Sequence, residues 1–245
     1  MDEQQRLAVF KAQTTNVQEL ESAWKHINRQ INALILDKNH KAVEISEKIL
    51  ALIYCALAES LFSKLIHTPH GLPLDEIRQI KDAVNADGVK EGWIKCAEFS
   101  MKRVGGAKSN HSPNVLQKLR ELINRYIFDP SVVRNKLAHG QWSIALNRHN
   151  TAVNDQITKQ IEEHNVVELY RRLEALKKLA VILEDIVESP NKAHHRDYWT
   201  HLTQFEETQR KLADWTMDKK VEQLFAKKAR MPKQKHCCSP QEVGV

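Results

Sequence analysis

Residues 42 to 66 carry apolar side chains at helical spacing around most of the circumference of the helix that they would form. A helix that is apolar on nearly every side must be covered by other elements of its own domain or by a second subunit. Asn39 is a suitable residue to begin it. No apolar run approaches the roughly 18 residues needed to span a bilayer. The segment therefore predicts a long central helix of a folded domain.

The remaining segments also favour helices. With only 7 glycines and 7 prolines among 245 residues, a loop-rich all-β fold is excluded. Apolar periodicity predicts helices over about 17–36, 75–85, 88–104, 112–128, 130–139, 165–188 and 195–229. Ser112-Pro113 and Asp129-Pro130 each have the pattern of a capping residue followed by a helix-opening proline. The predicted class is an all-α helical bundle.

One short segment has a different period. Trp142, Ile144 and Leu146 alternate with mostly polar neighbours, and residues 152–157 are placed to pair with them. A small β-hairpin is therefore predicted directly after the helix that begins at Pro130.

Composition changes along the chain predict its organisation. We expect a helical domain with an N-terminal helix over 1–190, a C-terminal helical extension over 191–230, and a disordered basic and polar tail over 231–245. The first residues lack the basic and apolar regions of a secretory signal. The 4 cysteines form no disulfide framework. Both features lead us to expect a cytoplasmic protein.

The helix after Asp129-Pro130 carries the candidate chemistry. At about 100° per residue, Arg134, Asn135 and His139 fall on one side, whereas Val133 and Leu137 fall on the other and belong to the core. Gly140 is a suitable residue just past a helix end, so His139 is expected in the last turn. There the negative end of the helix dipole favours the imidazolium form.

These three residue types suit RNA cleavage without a metal ion, in which the 2′-hydroxyl attacks its own phosphodiester. His139 can transfer protons, Arg134 can stabilise the charge that develops on the phosphorus oxygens, and Asn135 can orient either partner. Arginine suits this role better than lysine because its guanidinium matches two phosphate oxygens at once. The structural alternative is that Arg134 pairs with a carboxylate and His139 caps the helix.

The spacing Arg134-Asn135-x-x-x-His139 resembles the R-polar-x-x-x-H motif of the HEPN superfamily. The continuation Gly140-Gln141-Trp142 and the segment Arg196-Asp197-Tyr198-Trp199 are similar to a HEPN subfamily carried on antibiotic-resistance plasmids. The resemblance implies an all-α endoribonuclease that needs no metal ion and acts in toxin–antitoxin systems, phage defence or stress responses. It also implies a homodimer with two motifs across one cleft, and a cognate antitoxin or regulatory protein. The alternative is a non-catalytic HEPN-like dimer that binds nucleic acid or a protein partner.

Positive charge is concentrated near the C-terminus. Residues 208 to 235 hold nine basic side chains against three acidic ones, an excess of six that equals the net charge of +6 of the whole chain. Such a patch attracts phosphate-bearing partners, although a solvated helix face has the same composition. The candidate RNA-binding residues are Lys136, Lys227, Lys228 and Arg230.

No cofactor or metal site is expected. His194-His195, His201 and His236-Cys237-Cys238 contain ligand types, but no second half-site lies at zinc-finger spacing. Cys55 and Cys96 lie within helical apolar patterns and are expected in the core. The tryptophans could stack on bases but fit the same apolar periodicity, so they are expected to be core residues: Trp93, Trp142, Trp199 and Trp215.

Overall fold

The structure is a computed structural model that describes residues 1–106 and 110–230. Its helices are α1 (Glu3–Leu36), α2 (His40–Ile66), α3 (Leu74–Asp87), α4 (Val89–Met101), α5 (His111–Ile123), α6 (Asp129–Ala138), α7 (Asp155–Glu162), α8 (Val166–Glu188), α9 (Ala193–Ala213) and α10 (Met217–Arg230). A π-helical turn, Asn124–Phe128, joins α5 to α6. The described residues form no β-strand beyond an isolated bridge, so the predicted all-α class is confirmed.

Helices α1 and α2 form an antiparallel hairpin that supplies much of the core. The first begins well before residue 17, because Asp2 and Gln5 form a capping box at its start. Arg6 is buried and donates to the carbonyl oxygens of His67, Thr68 and Leu72, which ties the beginning of α1 to the end of α2. Residues 11–16 are polar apart from Ala12, which is why the apolar period is continuous only from residue 17 onward.

Helix α2 is the central element, as its apolar pattern predicts. Asn39 caps it, and α1, α8 and α6 pack against it. Among the described helices, it is also the one long and apolar enough to cross a membrane, with 50% of its most apolar window buried inside the protein. The core helix of a water-soluble protein meets the same length and composition criteria; neighbouring helices cover part of the apolar surface of α2, whereas Ile45 and Ile49 are exposed.

Helices α5 and α6 are continuous through the π-helical turn. The predicted break at Asp129 is wrong: its backbone is helical, and its N–H donates to the Asn124 carbonyl five residues earlier, as π-helical geometry requires. Ser112 is likewise not the cap of α5, which begins one residue before it.

Pro130 lacks an N–H, so the carbonyl oxygen of Tyr126 is left without its usual helical partner. The buried Tyr54 hydroxyl of α2 donates to that oxygen at 2.6 Å.

The predicted β-hairpin does not form. Leu146 and Val153 make a single antiparallel bridge, and α7 already begins at Asp155, where Asn154 caps it. Residues 155–157 of the predicted second strand belong to α7 instead. The segment between α6 and α7 is therefore a loop folded back on the end of α6.

The C-terminal extension packs against the bundle. Helix α9 lies along α8, and α10 contacts α1 and α8 without a buried residue of its own. At the start of α8, the Glu47 carboxylate accepts a hydrogen bond from the Val166 N–H at 2.8 Å. Burial raises the pKa of Glu47 to about 7. The predicted tail 231–245 lies outside the described residues.

Replacing Tyr54 with phenylalanine is expected to lower the free energy of unfolding by about 1–3 kcal/mol, because a buried carbonyl oxygen then has no donor. Tyr170→Phe is the matched control, since its ring is 40% exposed. Urea denaturation of the two variants beside the wild type measures the difference. Equal stability of both variants would show that the hydrogen bond to Tyr126 does not hold α6.

Candidate functional site

Helix α6 presents the motif residues on the side that helical spacing predicts. Val133 and Leu137 are buried, whereas Asn135 and His139 are exposed and Arg134 is half-buried. The polar residues of the motif are therefore not required to fill the core. They line the surface of the protein at the junction of α6, α2 and the loop that follows α6.

Arg134 is held by an acidic residue from α2. Its Nη2 atom donates to Oε1 of Glu59, and the Cys55 thiol lies beside the guanidinium. Burial raises the pKa of Cys55 to about 12, so this sulfur stays a thiol. The carboxylate alternative considered for Arg134 is thus present in the structure, and the Arg134 side chain is 31% exposed beside this ion pair.

His139 stands just beyond the last residue of α6. Its backbone N–H donates to the carbonyls of Asn135 and Lys136, both at 3.2 Å, and Gly140 then takes a φ of +79° that favours glycine. Among the described residues, no side-chain hydrogen bond engages the imidazole. The backbone of His139 caps the helix while its ring remains open to solvent.

Residues of the loop after α6 donate hydrogen bonds to carbonyl oxygens in the last turn of the helix. The Gln141 N–H donates to Lys136 at 2.9 Å, and the Trp142 indole N–H donates to Leu137 at 2.9 Å. In the other direction, the Lys136 ammonium of α6 donates to the carbonyl oxygen of Leu146 in the loop at 2.6 Å. These contacts fix the direction in which the chain leaves His139.

Two grooves meet at Asn135. Arg134 and Asn135 line a groove of about 520 Å³, and Asn135 and His139 line another of about 750 Å³. Asn135 is common to both, so Arg134 and His139 lie on opposite sides of one amide. An extended ligand that crosses Asn135 can contact both functional groups.

The groove on the Arg134 side combines aromatic and cationic groups. Phe128 is 43% exposed there, and the ammonium of Lys90 lies 4.8 Å from the centre of its ring. The same groove also holds the carboxylates of Glu59 and Asp87, which balance the charges of Lys90 and Arg134. The exposed ring is therefore the group that suits a nucleotide, because a base can stack on it.

The groove on the His139 side is rich in amides. Its lining includes Lys136, Arg148, Asn147, Asn150 and Asn154. Two of these amides already accept hydrogen bonds within the protein: Asn147 accepts from backbone N–H groups of the loop, and Asn154 caps α7. The Lys136 ammonium, a predicted RNA-binding group, lies in this groove with one of its protons committed to Leu146.

The other predicted RNA-binding residues are not part of either groove. Lys227, Lys228 and Arg230 are exposed in the last turn of α10. The main contacts of α10 are with α1, whereas those of α6 are with α2 and the π-helical turn. The structure therefore places the C-terminal charge on a separate face.

The expected core residues are mostly where the sequence puts them. Cys55, Cys96 and Trp93 are buried, and Trp142 and Trp215 pack partly against the core. Trp199 is different, because its side chain is 62% exposed. The expectation of a core role for Trp199 is wrong: on α9 the adjacent Tyr198 takes the buried position.

Sequence reasoning missed Glu59 and Arg148. Glu59 carries a weak signal, since Glu59-Ser60 is a polar pair within the apolar run of α2. Its pairing with Arg134, 75 residues away, depends on how α6 packs on α2. Arg148 lies in the segment predicted as a hairpin turn, where nothing in the sequence links it to the motif.

Comparison with known proteins gives no further guide to this site. No family model, no curated protein and no solved structure matches the chain. The HEPN resemblance therefore rests on the motif residues of the sequence alone.

Alanine at Arg134 or at His139 is expected to change the free energy of unfolding by only about 0.5 kcal/mol, because both side chains leave the core face. Val133→Asp should cost about 4 kcal/mol or more, because it buries an unpaired carboxylate. Val153→Asp, at an exposed position, is its control. Thermal denaturation measures all four variants. A His139→Ala protein that melts many degrees lower would make His139 a structural residue.

Proposed function

We propose that this protein is a metal-independent endoribonuclease of the HEPN type, with Arg134, Asn135 and His139 as its catalytic residues. The supporting observation is the arrangement around Asn135: an unengaged imidazole on one side and a positioned guanidinium on the other, each in a groove bordered by cations. The free ring of His139 argues against a purely structural role for that side chain.

The proposed reaction is an attack of the RNA 2′-hydroxyl on the adjacent phosphorus. His139 exchanges the proton at one of the reacting oxygens, and Arg134 stabilises the charge on the non-bridging oxygens. Asn135 hydrogen-bonds the phosphate between them. The bond from phosphorus to the 5′-oxygen breaks, which leaves a 2′,3′-cyclic phosphate on one product and a 5′-hydroxyl on the other.

A homodimer would complete this chemistry. One motif supplies one imidazole, whereas one proton must leave the 2′-oxygen and another must reach the 5′-oxygen. A second copy of α6 across the cleft would supply the other histidine. Light scattering of the purified chain measures this assembly, for which we expect twice the mass of 28.3 kDa; a verified monomer with full activity would overturn it.

RNA binding is proposed to begin in the two grooves and continue on α10. Phe128 and Lys90 would hold one nucleotide, and Lys136 and Arg148 the next. Lys227, Lys228 and Arg230 would attract the rest of the strand through its phosphates, a contribution that weakens with salt.

The biological setting follows from the motif resemblance. We place the protein in the cytoplasm, in a toxin–antitoxin, phage-defence or stress response, with a cognate antitoxin or regulatory protein as its controlling partner. Cleavage of cellular RNA would need such control.

The Arg134–Glu59 ion pair favours a second candidate, a non-catalytic HEPN-like dimer that binds nucleic acid or a protein partner. A guanidinium committed to a carboxylate has less charge to offer to a phosphate. In this alternative the grooves bind RNA or a protein segment without cutting it.

Purified protein is expected to cleave single-stranded RNA in excess EDTA, with 2′,3′-cyclic phosphate ends, and to leave DNA of the same sequence intact. His139→Ala and Arg134→Ala should each lower the rate at least about 100-fold, the loss typical of an essential proton-transfer or charge-stabilising group. Gel analysis of end-labelled RNA measures both.

The matched control is His149→Ala, another exposed histidine in the loop that follows α6. Its activity should equal that of the wild type. Binding of RNA without cleavage by any preparation would support the non-catalytic alternative, and activity that disappears in EDTA and returns with a divalent ion would contradict the mechanism.

A further inference from the structure

A group of metal-ligand side chains lies between α8 and α9, on elements other than the one that carries the motif. Asp185 comes from α8, and Asp197 and His201 come from successive turns of α9. One ligand atom from each lies within 4.8 Å of the others. Neighbouring ligands of a bound ion with bonds of roughly 2.1 Å are about 3.0–3.4 Å apart. Small side-chain movements would therefore bring all three into coordination.

Part of this group is buried without a full set of partners. Nδ1 of His201 is inaccessible to solvent and makes no hydrogen bond within the described residues, and Oδ2 of Asp185 is also inaccessible, with the other ring nitrogen of His201 as its near neighbour. The imidazole Nε2 lies 3.2 Å from Asp185 Oδ2. Such unsatisfied atoms normally have a partner, which includes bound ions.

The carboxylates around Asp185 differ in whether a basic side chain neutralises them. Glu184 is neutralised by Lys64 at 2.6 Å, and Asp197 by the exposed Arg196. Asp185 has only His201 as a close cationic partner among the described residues, and only when His201 is protonated.

From this geometry we infer that Asp185, Asp197 and His201 bind one divalent first-row transition-metal ion, which links α9 to α8. Two carboxylate oxygens and one imidazole nitrogen are a donor set that suits Mn²⁺ or Zn²⁺. Water molecules would fill the remaining positions. The ion would stabilise the packing of the C-terminal extension and take no part in RNA cleavage.

Arg196 limits the affinity of this site. Its guanidinium donates to both oxygens of Asp197, with distances of 2.9, 3.1 and 2.7 Å. A metal ion must share or displace these contacts. Removal of Arg196 should therefore strengthen metal binding, the opposite of what removal of a ligand does.

Titration of the metal-free full chain with Mn²⁺, followed by the electron paramagnetic resonance signal of the free ion, tests the site. Mn²⁺ is chosen because it prefers oxygen and nitrogen ligands over the thiols of Cys237 and Cys238. We expect one bound ion per chain. Asp185→Asn, Asp197→Asn and His201→Gln should each weaken binding at least about 10-fold, and Arg196→Gln should tighten it several-fold.

Two control variants test whether this group itself holds the ion. Glu184→Gln removes a neighbouring carboxylate that the proposal does not use, so it should leave the affinity near that of the wild type. His111→Gln removes a second candidate, the pair formed by the Nε2 atoms of His111 and His194 at 3.1 Å. Loss of binding with His111→Gln but not with His201→Gln would overturn the proposal.

Thermal denaturation gives a readout that does not depend on the titration. Mn²⁺ at a concentration that just saturates the wild type should raise the melting temperature of the wild type and of Glu184→Gln, and raise that of the ligand variant Asp197→Asn clearly less. If the wild type binds neither Mn²⁺ nor Zn²⁺, the proposal fails. The four side chains would then form only two neighbouring ion pairs, His201–Asp185 and Arg196–Asp197.

Discussion

The hydrogen bond from the Tyr54 hydroxyl to the Tyr126 carbonyl oxygen connects the central helix to the helix that carries the motif. Pro130 cannot donate to that carbonyl, so the chain either leaves a buried acceptor unpaired or supplies a donor from elsewhere. Tyr54 of α2 is that donor, at 2.6 Å. The π-helical turn beside it lets α5 run into α6 without a break. The direction of α6, and with it the positions of Arg134, Asn135 and His139, depends on this contact.

The packing of α6 on α2 also arranges the charged groups around the motif. With α6 seated on α2, Arg134 reaches Glu59, while the end of α6 turns away at Gly140 and leaves the His139 ring in solvent. A carboxylate beside an arginine can orient the guanidinium or compete with a phosphate for it. The catalytic and the non-catalytic proposals differ in which effect dominates when RNA is bound.

Much of the fold could be predicted from the sequence, because apolar periodicity and caps act locally. Helix α2 and its cap at Asn39 are examples, as is the separation of Val133 and Leu137 from the motif residues. The errors arise where tertiary contacts decide. The helix continues through Asp129 where Tyr54 of α2 donates to the carbonyl oxygen that Pro130 cannot serve, and the missing hairpin reflects the cap of α7 at Asn154. The exposure of Trp199 shows that an apolar residue at helical spacing can still lie outside the core.

The candidate site was only partly visible in the sequence. Spacing placed Arg134, Asn135 and His139 on one face, but it gave no sign of Glu59 as the partner of Arg134 or of the grooves that meet at Asn135. The Asp185, Asp197 and His201 group was also missed, because its two aspartates lie on different helices. Long-range juxtapositions of this kind become predictable only when the packing of the helices is known.

In the proposed reaction the RNA 2′-hydroxyl is the nucleophile at the site formed by Arg134 and His139. The most direct test is the cleavage rate of an RNA oligonucleotide in which a single 2′-deoxy nucleotide precedes the mapped scissile phosphate. We expect cleavage at that bond to stop, while the modified RNA still binds and inhibits cleavage of the unmodified strand. Continued cleavage at the modified bond would contradict it, because another nucleophile would then be attacking the phosphate.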